Sequence, residues 1–396
     1  MSAPLPDTAP IVTLTDTDAL AAFCARARAH PYVTVDTEFL RERTYYAQLC
    51  LVQLAIPGPG GGEAVLVDPL ADGLSLAPLY ELFRDESVVK VFHAARQDLE
   101  IFLHDGDVIP RPLFDTQVAA MVCGYGEQAG YETLARKIAH QTVDKSSRFT
   151  DWSRRPLTDA QKVYALADVT HLRIIYEDLA ARLEETNRTA WVEEEIGILT
   201  DPATYRTEPA DAWLRIKTRT HSPKFLALVR ELAAFREEYA QKRNVPRNRV
   251  FKDDALIELA SSKPRNDKDL GRARLLGRDA RRGEIAAGIL RAVERGLATD
   301  ARNAPQPDRS RENLNVNPAQ ADLLRVLLKA KAEMAGVAQK LIATSSDLDF
   351  IAAGKRDVAA MQGWRAEVFG RDAARLLDGE IGLAARGGDV VVFDLT

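Results

Sequence analysis

Val33-Thr34-Val35-Asp36-Thr37-Glu38-Phe39 is an apolar, β-branched run that ends on two acids. It reads as a buried strand, and side chains two apart on a strand share a face. Asp36 and Glu38 therefore point the same way, at the edge of a sheet. Two carboxylates held side by side repel unless a cation lies between them, and a divalent metal ion is the usual one. Asp-x-Glu also arises by chance, so the pair gains force only if further acids arrive at suitable places.

Working outward, Leu49–Ile56, Val65–Asp68 and Val88–Phe92 read as further strands. The glycine run from Pro57 to Gly62 is a loop and not a phosphate cradle, because no helix with Lys-Ser/Thr follows it. Beyond Phe92 the spacing turns helical: Leu99, Phe102 and Leu103, then Val118, Met121 and Val122, then Leu134 and Ile138. A long helix is expected after Pro156, with Thr158 as N-cap and Gln161 in a capping-box position. Strands first and helices after predict a mixed sheet flanked by helices over residues 11–205.

Two more acids answer the test. Val88–Phe92 runs into His93-Ala94-Ala95-Arg96-Gln97-Asp98, which puts Asp98 in the first turn of the next helix. On the long helix Tyr164 and Asp168 are four apart and share a face. Four carboxylates and a phenol thus come from two strand ends and a helix. Oxygen ligands without cysteine favour Mg²⁺ or Mn²⁺ over zinc. Two such ions can activate a water and stabilise the leaving oxygen in phosphodiester cleavage. With an ordinary phenol pKa of about 10, Tyr164 is better suited to orienting that water than to deprotonating it.

The chain of 396 residues is long for one core and suggests two or three domains. From about Asp201 strand signals nearly vanish, and residues 211–297 and 310–388 read as two helical modules. Ala240-Gln241-Lys242 recurs as Ala338-Gln339-Lys340. Gly277-Arg278-Asp279-Ala280 with Gly283-Glu284-Ile285 is echoed by Gly370-Arg371-Asp372-Ala373 with Gly379-Glu380-Ile381. Ala301 to Asn317, with Pro305 and Pro307, reads as a hinge. Met1–Pro10 reads as a disordered lead with no signal-peptide pattern. No apolar run is long enough to span a bilayer. Three unclustered cysteines, Cys24, Cys50 and Cys123, argue against a disulfide framework and fit a reducing cytoplasm.

Charge is unevenly spread. From Trp213 to Arg302 there are 22 Lys and Arg against 12 Asp and Glu, whereas Ser310 to Val390 holds 11 of each. The first half carries the acidic excess behind the overall −5. A basic segment tethered to an acidic one points to an anionic polymer such as nucleic acid, or to a solvated helical surface.

Val-Asp-Thr-Glu-Phe, His-Ala-Ala-Arg-Gln-Asp and Tyr-x-x-x-Asp, in that order, resemble the three motifs of the DEDD 3′→5′ exonucleases, tyrosine subgroup, and within them ribonuclease D. Ser153-Arg154-Arg155-Pro156-Leu157 and Thr44-Tyr45 ahead of Leu49-Cys50-Leu51-Val52-Gln53 share the resemblance. The helical modules are similar to HRDC domains, which ribonuclease D carries twice. The resemblance implies a ribonuclease H-like exonuclease domain followed by two all-α bundles. It implies that Asp36 bridges two divalent ions, that Glu38 and Asp168 complete one site, and that Asp98 serves the other. It also implies an RNA substrate with a single-stranded 3′ extension, tRNA precursors above all, processed in the cytoplasm with no membrane partner. A monomer is the expected state.

Around this set, several residues have two readings. His93 is a hydrogen-bonded residue at a strand end or a substrate contact, and Asp115 is a fifth acid or, the better use, a helix N-cap. Trp152 stacks on a base or packs under the long helix. Arg154 and Arg155 bind phosphate or form a solvated pair. Phe39, Lys217, Arg219, Arg243 and Arg247 complete the substrate-side candidates. The expected activity is a 3′→5′ exoribonuclease releasing nucleoside 5′-monophosphates. A DNA-directed exonuclease and an inactive RNA-binding scaffold are the alternatives.

Overall fold

The computed structural model describes residues 11–144, 150–220, 222–300, 302–306 and 314–395. The expected disordered lead, residues 1–10, and part of the expected hinge lie outside the described residues. The chain divides into two compact units, one of residues 1–38, 51–201 and 310–396, the other of residues 39–50 and 202–309.

The first unit holds a six-stranded sheet. Strands β1 (Thr13–Leu14), β2 (Tyr32–Leu40), β3 (Gln48–Ile56), β4 (Glu63–Val67), β5 (Val89–Phe92) and β6 (Leu113–Asp115) stand in the order β1-β4-β3-β2-β5-β6. The β1–β4, β2–β5 and β5–β6 pairs are parallel, and β3–β4 is antiparallel. The sheet is thus mixed, as expected. β3 is buried from Leu49 to Ile56, which explains a run that is apolar except for Gln53: an inner strand is covered on both faces. β1 and β6, of two and three residues, are too short to show a period.

Among the described residues, the helices around this sheet are α1 (Thr17–Ala27), α2 (Ala77–Arg84), α3 (Arg96–Gly106), α4 (Thr116–Val122), α5 (Tyr131–Leu134), α6 (Asp159–Glu185) and α7 (Thr189–Leu199). Phe102 packs edge-on to Phe83 and Phe92, which are tilted against each other, and the three rings seat α2 and α3 on β5, with ring centroids 4.8 Å apart for Phe83–Phe102. α6 opens on the capping box read from the sequence: Thr158 accepts from the Gln161 amide, and Gln161 reaches back to Thr158. Its buried stripe, Leu172, Ile175, Leu179 and Leu183, keeps it on the core.

In the second unit lie α8 (Pro223–Arg243), α9 (Arg247–Val250), α10 (Asp253–Ser262), α11 (Asp267–Leu270) and α12 (Gly283–Ala298), around a core that includes Val229, Leu232, Leu256 and Ile289. The loop joining β2 to β3 belongs to this unit. Asn244, the left-handed cap of α8, accepts from the Tyr45 and Tyr46 amides at 3.1 and 3.0 Å.

The C-terminal segment repeats that order of elements. α13 (Pro318–Ala335), α14 (Gln339–Ile342), α15 (Ser345–Ala352) and α16 (Gly363–Arg365) follow one another, and α16 runs through a π-helical turn into α17 (Arg371–Leu377). Gly283 and Gly363 open α12 and α16 with φ of 64° and 52°, the left-handed conformation that favours glycine. The sequence markers do not share this register. Ala240 lies in α8 but Ala338 caps α14; Gly283 opens a helix but Gly379 leads into a strand. The repeat is one of helix order, which short identities can mimic out of phase.

Residues 381–388, the end of the module expected to be all-helical, depart from that expectation. β7 (Ile381–Arg386) and β8 (Asp389–Asp394) form an antiparallel hairpin. Gly387-Gly388 makes its turn, with φ of 67° at Gly387, and Val390-Val391-Val392-Phe393 supplies β-branched and aromatic residues.

This C-terminal segment is fastened to α4 and α7 within the first unit. Trp364 stacks on Trp191 with centroids 4.5 Å apart and planes at 11°. Arg365 pairs with both Glu194 and Glu195. The Ala338 amide donates to the Met121 carbonyl at 2.9 Å, and Arg188 donates to Ala335 and Val122 carbonyls at 2.6 and 3.2 Å. Among the described residues no helix is long and apolar enough to cross a membrane.

Candidate active site

β2 presents its acids by simple alternation. The Thr34 hydroxyl donates to the Val169 carbonyl of α6 at 2.8 Å, so α6 covers the face of β2 that bears Thr34. Asp36 and Glu38 continue that face and meet the turn of α6 carrying Tyr164 and Asp168. Thr37 points to the opposite face, where its hydroxyl donates to the Asp98 carboxylate. In parallel register Thr34 lies opposite Val91. Asp36, two residues on, therefore stands where β5 has given way to the turn that leads into α3. The carboxyl ends of neighbouring parallel strands are where such folds gather ligands.

The four acids and the tyrosine are electrostatically one cluster. Burial pushes the Asp36 carboxyl well above its ordinary range, and the Asp168 charge adds to this. Burial does the same to Asp98, followed by the charge of Asp36. Asp98 and Asp168 are each only 7 % exposed. Burial raises the Tyr164 phenol as well, then Asp168, Glu38 and Asp36 raise it further, and its hydroxyl donates to the Asp168 carboxylate. The charges acting on Asp36 and Asp98 are all carboxylates. Carboxylates crowded together and drawn away from water form a set of oxygen donors that fits a divalent cation. Among the described residues no three His, Cys, Asp or Glu side chains already surround a common point.

Tyr131 was not legible as part of this site. Its hydroxyl donates to the Asp168 carbonyl at 2.5 Å and the Ala167 carbonyl at 3.2 Å, which ties α5 to the turn of α6 that bears Asp168. Its only sequence cue is an aromatic residue after Gly130, and the partner lies 37 positions away.

The substrate-side candidates are scattered. His93 bonds through Nδ1 to the Thr116 hydroxyl at 3.0 Å and lies edge-on to Tyr131. Trp152, 2 % exposed, packs 6.1 Å from the Tyr164 ring. Arg155 makes a two-pronged bond to Asp68 at 2.6 and 2.7 Å, which pins the segment holding Trp152 to the end of β4. Arg154 is exposed beside Asp151. Phe39 is half-buried near the end of β2. In the second unit Lys217 and Arg219 are exposed. Arg243 pairs with Glu284 at 2.6 Å, and Arg247 holds buried Glu237 at 2.5 Å while lying over the Tyr45 ring.

Comparison with known proteins identifies the family. Residues 11–184 match the 3′–5′ exonuclease family model, and residues 225–293 match the HRDC domain model. Ribonuclease D of Jannaschia sp. (strain CCS1) is 64% identical over 383 residues, covering 97% of this chain and 99% of the relative. Ribonuclease D of Granulibacter bethesdensis is 49% identical over 377 residues, 94% of each chain. The crystal structure of Escherichia coli RNase D, an exoribonuclease involved in structured RNA processing, is similar with a TM-score of 0.81 and 29% identity, over 93% of this chain and 99% of that one. Exonucleases of this family depend on divalent metal. The chain belongs to the ribonuclease D family and is a 3′→5′ exoribonuclease.

Proposed function

We propose that this enzyme trims the 3′ ends of structured RNAs, tRNA precursors above all, with Asp36, Glu38, Asp98 and Asp168 holding two divalent cations, Mg²⁺ or Mn²⁺. The observation that carries the reading is the shared electrostatics of these carboxylates with Tyr164. Asp36 would serve both ions, Glu38 and Asp168 one of them, and Asp98 the other. When bound, such ions lower the pKa of water and neutralise the scissile phosphate.

The chain's own residues do the rest. The Tyr164 phenol, raised above its ordinary value by burial and by the acids, stays protonated at working pH and is no general base. Its O–H donates to Asp168, which leaves an oxygen lone pair to accept from the attacking water and hold it in line. The water oxygen bonds to phosphorus and releases a proton to solvent, while the bond to the 3′ oxygen of the preceding nucleotide breaks and that oxygen takes up a proton from solvent. A nucleoside 5′-monophosphate leaves, and the shortened RNA keeps a new 3′ hydroxyl. Tyr131, through the backbone of Asp168, keeps the α6 turn in place.

We assign RNA-body contacts to the basic second unit, Lys217 and Arg219 first, because they are exposed while Arg243 and Arg247 already pair with Glu284 and Glu237. We read the C-terminal helices as a second HRDC-like module on their repeated helix order, and the enzyme as a cytoplasmic monomer. The E. coli relative's part in structured RNA processing supports the substrate class.

The test is a timed digestion of 5′-labelled structured RNA with a short 3′ extension. Parallel lanes hold the same strand as DNA, an RNA with a blocked 3′ hydroxyl, and the Asp168→Asn protein. Stepwise shortening of the RNA alone, dependent on Mg²⁺ or Mn²⁺ and absent in the variant, supports the proposal. Equal shortening of DNA, or full activity in Asp168→Asn, overturns it.

A further inference from the structure

α3 delivers Asp98 two residues into its first turn, so the turn before it sets where that carboxylate stands. This turn is unusual. Ala94 adopts φ of 57°, a left-handed conformation that a non-glycine residue holds only when its surroundings impose it. Ala95, which starts the helix, offers no side-chain cap. The backbone needs an outside hold, and the β6–α4 junction provides it.

Asp115 is 2 % exposed, and its two carboxylate oxygens divide the work. Oδ1 accepts from the Ala94 amide at 3.0 Å and from the Gln117 amide at 2.8 Å; Oδ2 accepts from the Ala95 amide at 2.8 Å. The Gln117 bond is the expected N-cap of α4. The other two reach across to the turn before Asp98. Thr116 completes the hold: its hydroxyl donates to the Phe92 carbonyl at 3.0 Å, which leaves it to accept from His93 Nδ1 at 3.0 Å. His93 is thereby fixed as the tautomer with its proton on Nδ1, and Nε2 is left as an acceptor.

We propose that Asp115 and Thr116 are positioning residues for the exonuclease reaction, a paired clamp on residues 92–95 that sets Asp98 for metal ligation. This rests on the reading of Asp98 as a ligand. Residues in such supporting roles change metal affinity or activity by about 10- to 100-fold when replaced.

Asp115→Asn separates capping from clamping. An asparagine that keeps its oxygen toward Gln117 and Ala94 must turn its NH₂ toward the Ala95 N–H, donor against donor. α4 keeps its cap and Ala94 its bond, while the hold on Ala95, the start of α3, is lost. Mn²⁺ is titrated against the full-length protein, with thermal melting as the binding readout and EDTA as the fold control, and kcat and KM are measured on a labelled RNA. The expected result is an apparent Mn²⁺ affinity about 10- to 100-fold weaker and kcat lowered by a similar factor, with KM for RNA within about twofold because no substrate contact is removed. Thr116→Val shifts both quantities in the same direction, and Thr116→Ser, which keeps the hydroxyl, restores them. If Asp115→Asn does not fold, this Thr116 pair decides the question. Asp98→Ala is the reference. If it loses the Mn²⁺ response while folded Asp115→Asn and Thr116→Val keep wild-type affinity and kcat, the clamp is refuted. If Asp98→Ala itself responds to Mn²⁺ like wild type, the ligand reading fails and the clamp with it.

Discussion

Tyr164→Phe removes one oxygen and leaves the ring. The ring of Trp152, 6.1 Å away, has no hydroxyl contact to lose, so no cavity opens beneath it. What disappears is the bond from the phenol to the Asp168 carboxylate and the lone pair that holds the attacking water. A hydrogen bond to a charged group contributes about 1.5–3 kcal/mol. If that interaction is made in the transition state and not in RNA binding, kcat falls by about 10- to 150-fold with KM little changed, since about 1.4 kcal/mol is tenfold in rate. Single-turnover cleavage of a 5′-labelled RNA at saturating metal measures it. The phenol is held above its ordinary pKa, so a plot of wild-type rate against pH shows no limb owed to tyrosinate formation between about pH 7 and 9. A variant with wild-type kcat refutes the orienting role. A pH limb present in wild type and missing in Tyr164→Phe also refutes it, because it would make the phenol a base.

Further predictions concern the scaffold. Trp364→Ala opens the stack on Trp191 and removes a side chain only 5 % exposed; a loss of about 3–5 kcal/mol is expected, read as one lowered cooperative melt of the first unit. Two separate transitions in wild type would show that the C-terminal helices fold apart from α7. Gly296→Ala would set a Cβ 2.9 Å from the Leu228 Cα, and backbone cannot yield as a side-chain tip can. Urea denaturation of the full chain is expected to show the second unit weakened by about 1–3 kcal/mol, and an unchanged midpoint would contradict the close approach of α8 and α12. Lys90, 0 % exposed, donates to the carbonyls of Asp85, Val88 and Arg111, and burial pulls its amine down to about 8. Above that value the folded chain binds fewer protons here than the unfolded chain, whose lysines titrate near about 10.4. Stability therefore gains a rising contribution between about pH 8 and 10. Lys90→Met flattens that rise, and identical pH slopes for the two proteins would contradict it.

How much was legible depended on how local the cause was. The acids of β2 could be placed on one face because alternation follows from backbone geometry. The start of α6 was readable because Thr158 and Gln161 are three residues apart and bond to each other's backbone. Asp115 showed itself as an N-cap for the same reason, through an amide two residues on. Its second use, on Ala94 and Ala95, depends on β5 and β6 lying side by side and leaves no local trace. The hairpin at residues 381–394 was in principle readable from Gly387-Gly388 ahead of Val390-Val391-Val392. Its first strand fell inside a helical pattern that drew the reading on to residue 388.

The sequence by itself determined the chemical inventory: four carboxylates and a phenol in a fixed order, each at a position whose local structure follows from its neighbours. Tertiary structure alone decided which long-range partners hold them. Thr37 reaches Asp98 across 61 positions, Tyr131 reaches the backbone of Asp168 across 37, and Arg155 reaches Asp68 across 87. It also decided that Arg243 and Arg247 pair with acids while Lys217 and Arg219 stay exposed. The physical reason is range. Periodicity and capping act within a turn or two of chain, whereas burial and carboxylate repulsion depend on distances that exist only once strands and helices have packed.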